Sequence, residues 1–99
     1  MIGLSQGQEI FDKLKVQSKM GSGILYLLNT GIAWEVSEKG LALELNYDEI
    51  ILVKEIKKEM LLISWMERKE RYDVKFNIKN ANEAAQKVIK YQDHKRLTG

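Results

Sequence analysis

Over most of the chain apolar and polar residues alternate with a period of two, the spacing that sends successive side chains to opposite faces of a β-strand. In Leu14-Lys15-Val16-Gln17-Ser18-Lys19-Met20 the apolar residues fall at 14, 16 and 20, which predicts a first strand with one face in water. Gly21-Ser22 is expected to break it. Residues 23–29 and 31–36 carry apolar and aromatic side chains on either side of Asn29-Thr30-Gly31, whose Asn and Gly suit the positive φ of hairpin loops. They predict the second and third strands. After Ser37-Glu38-Lys39-Gly40, Leu41, Leu43 and Leu45 alternate with Ala42 and Glu44, a fourth strand that stops at the turn Asn46-Tyr47-Asp48. Tyr72, Val74, Phe76 and Ile78 alternate with Asp73, Lys75 and Asn77 and form the clearest strand of all.

The segment 49–71 contains neither Gly nor Pro, and Ile56, Met60 and Ile63 would also share one helical stripe, so a helix stays open there. Strands at 50–55 and 59–66 are preferred. Both runs are rich in β-branched and aromatic residues, and the charged stretch from Glu55 to Glu59 separates them as a hairpin tip would. Beyond residue 79 the period changes. Asn80 and Glu83 have the spacing of a capping box, and Ala81, Ala84, Ala85, Val88 and Ile89 then make a helical stripe. The expected class is therefore mainly β with one C-terminal helix. Residues 1–10 read as a loose lead and 11–96 as a single domain, because 99 residues are too few for two independent cores.

Composition narrows the chemistry. There is no cysteine, which removes disulfides, thiolate catalysis and Cys-based zinc sites and fits a reducing, cytoplasmic setting. His94 is the only histidine, and it sits among Asp93, Lys95 and Arg96. No serine has a recognisable nucleophile setting, and Gly21-Ser22-Gly23 lacks the remaining residues of a phosphate loop, so neither an enzyme nor a cofactor is expected. Net charge is +2, and Lys54, Lys57 and Lys58 alternate with Glu55 and Glu59. That pattern is a solvated face, and a nucleic-acid partner is not expected.

Seven strands followed by one helix is the element order of the pleckstrin-homology (PH) superfold. Gly23-Ile24-Leu25-Tyr26-Leu27, Ile32-Ala33-Trp34 and Leu45-Asn46-Tyr47-Asp48-Glu49-Ile50 resemble the corresponding run of GRAM and GLUE domains, and they are similar to the N-terminal PH-like domain of a TFIIH subunit. Tyr72-x-Val74-x-Phe76 followed by Glu83-Ala84-Ala85 resembles the passage of those domains from last strand to helix. The resemblance implies a seven-stranded antiparallel sandwich capped by the helix, with Trp34 and Trp65 in or near the core.

Two roles follow from it as expectations. The first is a protein-interaction module. If Leu61, Ile63 and Trp65 point inward, Leu62, Ser64 and Met66 point out, and with Lys54 they make a patch to be covered by the chain's own lead segment, a second copy in a homodimer, or a bound peptide or subunit. The second is a peripheral module on an acidic membrane surface, using Lys13, Lys15, Lys19, Lys39, Arg68, Lys69 and Arg71. The first is preferred, because the second strand begins with Ile24, Leu25 and Leu27 where a phosphoinositide-binding PH domain places basic residues.

Overall fold

The computed structural model describes residues 3–98. Its seven strands are β1 (Ile10–Ser18), β2 (Gly21–Leu28), β3 (Gly31–Val36), β4 (Gly40–Asn46), β5 (Ile50–Lys57), β6 (Met60–Glu67) and β7 (Glu70–Asn77), followed by one helix, α1 (Ala81–Thr98). The fold class read from the sequence is thus the observed one. The segment 49–71 is two strands and not a helix. A single 3-10 turn (Tyr47–Glu49) links β4 to β5, with the Asn46 amide donating to Glu49 Oε1 at 2.8 Å. Strand ends move by a few residues from their predicted places. Met20, expected on the apolar face of the first strand, lies in the β1–β2 turn and is 46% exposed.

All strands join one antiparallel sheet in the order β4-β3-β2-β1-β7-β6-β5, so β4 and β5 are its free edges. The sheet folds over a core that includes Leu25, Ile32, Tyr47, Leu61, Ile63 and Phe76, with Trp34 packed edge-on against Phe76 at 4.9 Å between ring centroids. Each fully buried side chain of this size contributes roughly 1.5–3 kcal/mol, which is why the alternation specifies which face turns inward.

The corner between β1 and β7 decides where the openings lie. The two strands pair only at Gln17 and Asn77, near the C-terminal ends of both. They are therefore offset, and each runs on without the other. The part of β1 before Val16 is covered by α1: Phe11 packs on Tyr91 at 5.1 Å, and Lys87 Nζ reaches Asp12 Oδ2 at 2.9 Å. The helix buries Ala81, Ala84, Ala85 and Val88, four of the five stripe residues, while Ile89 is half-buried against the core. Asn80 does not cap it in the expected way. It sits at φ 61, outside the extended conformation of an N-cap, and the Glu83 carboxylate lies 3.7 Å from Lys87 Nζ. The part of β7 before Phe76 receives no such cover.

The hairpin turn at Asn29 also differs from expectation. None of Asn29, Thr30 and Gly31 has a positive φ. Gly31 is needed for space instead, since a Cβ there would lie 1.8 Å from the Leu45 carbonyl oxygen. Asn29 holds the lead segment, with Oδ1 accepting from the Glu9 amide at 2.8 Å and Nδ2 donating to the Gly7 carbonyl at 2.9 Å.

Candidate functional site

The four residues predicted for partner binding share one face. Cross-strand register sets Lys54 of β5 opposite Leu62 of β6, and Leu62 opposite Lys75 of β7. Ser64 stands opposite Asp73 and Met66 opposite Arg71. Leu61 and Ile63 are in the core, so the even-numbered residues of β6 do point outward. They are not equally open. Met66 is 40% exposed, Leu62 only 8% and Ser64 not at all.

Neighbouring side chains account for the difference. The Ser64 hydroxyl donates to Asp73 Oδ1 at 2.6 Å, Arg71 Nη2 donates back to Ser64 Oγ at 3.2 Å, and Arg71 Nε reaches Asp73 Oδ1 at 3.2 Å. This triangle roofs Ser64. The hydroxyl and guanidinium bonds hold the Asp73 carboxyl below its ordinary value of 3.8. Lys54 and Lys75 flank Leu62 in register, and the aliphatic stems of lysines can lie over such a side chain. At Ser64 the neighbours on β7 therefore close a position that the strand pattern left open to a partner.

The apolar surface that stays open is displaced toward the β5 edge. Ile51 is 50% exposed, in the irregularity where Ile50 pairs with Trp65 and Leu52 with Ser64. Such a bulge twists an edge and leaves one residue unpaired. Its neighbour Ile50 is tied to the helix, because Gln92 Nε2 donates to the carbonyls of Tyr47 and Ile50 at 2.8 and 3.2 Å. Beyond that clamp, the outer edge of β5 pairs with no other described strand.

The basic residues weighed for a membrane surface are scattered differently. Lys13 and Lys15 are exposed on β1 opposite Tyr26 and Ile24. Lys39 Nζ donates to the Met20 carbonyl at 3.2 Å, so the β1–β2 and β3–β4 turns do meet and bring Lys19 and Lys39 together. Arg71 is engaged with Ser64 and Asp73. Arg68 and Lys69 form the β6–β7 turn, both at positive φ.

A second feature escaped the sequence pattern. Where β7 runs on without β1, a cavity of about 500 Å³ opens beneath the β1–β2 turn. Trp34, Leu43, Trp65 and Val74 give it apolar walls, and Lys19 and Lys75 also line it. Trp65 stacks on Tyr72 at 5.8 Å. Trp34 is 6% exposed and its Nε1 is the one buried side-chain polar atom among the described residues that has no partner. Nothing in the alternation marks this opening, since it depends on the offset of two strands far apart in sequence. No helix of the structure is long and apolar enough to cross a membrane.

No family model matches the chain, and no curated protein matches it.

Proposed function

We propose that this chain is a non-catalytic, PH-like binding module whose ligand is a protein partner, received as an extended segment along β5. The observation that carries the reading is the free edge of β5 with Ile51 exposed in its bulge and Met66 exposed on the adjoining strand. An extended peptide added there gains backbone hydrogen bonds from the edge and side-chain contact from the two apolar residues. Lys54 lies on the same strand and Lys57 at its end, and charged edges of this kind discourage indiscriminate pairing between sheets. The triangle at Ser64 and the buried Leu62 serve as a rigid floor and do not contact the partner.

The test is a selection of random twelve-residue peptides displayed on phage against the intact chain. The reading expects enriched extended sequences whose binding falls at least tenfold in an Ile51→Lys, Met66→Lys variant that melts like the parent. If the variant binds selected peptides as well as the parent does, or if no peptide is enriched, the β5 reading is wrong.

One observation favours a second reading, a peripheral module on an acidic bilayer: Lys19 and Lys39 stand on adjoining turns with Met20 exposed between them. Each cation near an anionic leaflet is worth only about 1 kcal/mol, which is why it ranks below the first. Co-sedimentation with phosphatidylglycerol vesicles that is lost in Lys19→Glu, Lys39→Glu would reverse the order.

A further inference from the structure

The cavity beside the β1–β7 corner is separate from the β5 edge and calls for a ligand of its own kind. We infer that it binds a small amphipathic monoanion, a single aliphatic chain ending in a carboxylate, with the chain between Trp34 and Trp65 and the carboxylate between Lys19 and Lys75. Four observations converge on that chemistry. The volume of about 500 Å³ is within the range of roughly 300–1,000 Å³ typical of small-molecule sites. Its walls are apolar, from Trp34 and Leu43 on one side and Trp65 and Val74 on the other.

The polar lining has an excess of positive charge. Lys19 and Lys75 are in no ion pair among the described residues, whereas Asp73, the one carboxylate lining the cavity, is bonded to Ser64 and Arg71. An anion entering there meets the Lys19 and Lys75 ammonium groups against a single carboxylate, which Ser64 and Arg71 already hold and which also feels the Lys75 charge. A zwitterion or a cation would lose that complementarity.

Trp34 supplies the fourth observation. A buried indole usually finds an acceptor for its N–H, and leaving a buried donor unpaired is destabilising. Trp34 Nε1 has none. A phenylalanine would fill the core contact with Phe76 without that cost, so a tryptophan at this wall is better explained by the flat apolar surface it offers beside the cavity than by packing alone. The opening exists because β1 stops at Ser18, just past its pairing of Gln17 with Asn77, so that the earlier part of β7 has no β1 neighbour, and α1 is committed to the other side of the corner.

The probe is decanoate in its monomeric range, followed by calorimetry and by tryptophan fluorescence, with decanol and decyltrimethylammonium as uncharged and cationic counterparts. Decanoate is expected to bind and to perturb the emission, with the two counterparts at least tenfold weaker. Lys19→Gln, Lys75→Gln is expected to weaken decanoate at least tenfold while leaving decanol unchanged, and Leu43→Trp is expected to block all binding by filling the space. Both variants are checked by thermal melting, and the charge variant, altering two exposed positions, should melt like the parent. A second arm uses phosphatidylglycerol vesicles, because an acyl chain could reach the site from a bilayer as well as from solution. Vesicle binding without decanoate binding overturns the inference, as does decanoate binding that neither variant changes or equal affinity for the three amphiphiles.

Discussion

At the level of single residues, a few positions carry more of the fold than the hydrophobic pattern reveals. Gly31 is the sharpest. A methyl group there would overlap the Leu45 carbonyl oxygen and come within 2.8 Å of the Asn46 Cα, both of them backbone atoms of the paired strand. Gly31→Ala should therefore separate β3 from β4 and cost about 3 kcal/mol or more, read as a large fall in the urea midpoint. A midpoint equal to the parent's would show that the hairpin can relax around the methyl. The β6–β7 turn makes the opposite prediction. Arg68 and Lys69 occupy φ 52 and 70, a region that disfavours side chains by roughly 1–2 kcal/mol per residue and that Asn-Gly fills readily. Replacing the pair by Asn-Gly should raise stability by about 1 kcal/mol, and a loss would mean that their side chains make compensating contacts.

Asp73 gives a residue-scale prediction in pH. Its folded value lies below that of the unfolded chain, so the contribution is present at neutral pH and is lost as the pH falls below about 4 toward the folded value. Asp73→Asn should destabilise the protein at pH 7, with the gap to the parent closing in strong acid. A gap of constant size from pH 7 to pH 2 would contradict the assignment.

Among the elements, the strands were legible because each alternation is local and each has one face to bury. Tyr72, Val74, Phe76 and Ile78 show it best, and even the ambiguous 49–71 resolved as the β-branched content suggested. What stayed hidden has a common cause. The burial of Leu62 and Ser64 depends on side chains from β5 and β7, Met20 falls in a turn because β1 ends early, and the cavity depends on the β1–β7 offset. These are relations between elements, and a pattern along one strand does not contain them. The candidate surface was legible in the same measure: Met66 was found, while Ile51 was missed because an irregularity in register exposes it.

The helix is held mainly by its apolar stripe. Lys87 reaches Asp12 from side chains that are 34% and 26% exposed, and this contact raises the Lys87 value above the ordinary lysine range. A double-mutant cycle on Lys87→Ala and Asp12→Ala should return a coupling no larger than about 1 kcal/mol, whereas Val88→Asp should unfold the chain. A coupling of several kcal/mol would move the anchor from the stripe to the ion pair.

For the whole molecule, the sheet is one continuous ribbon bent over its core, with two free edges and an offset corner where a cavity opens. The helix attends to one side of the corner, ties Gln92 to the start of β5 and packs against that strand, whose outer edge pairs with no other described strand and is where the proposed partner would add. Amide hydrogen exchange, resolved by residue and measured with and without a selected peptide, tests this directly. The account predicts new protection on alternate residues from Ile51 to Lys57, with β4 unchanged. Protection confined to β4, or binding that leaves the β5 amides exchanging as before, would contradict it.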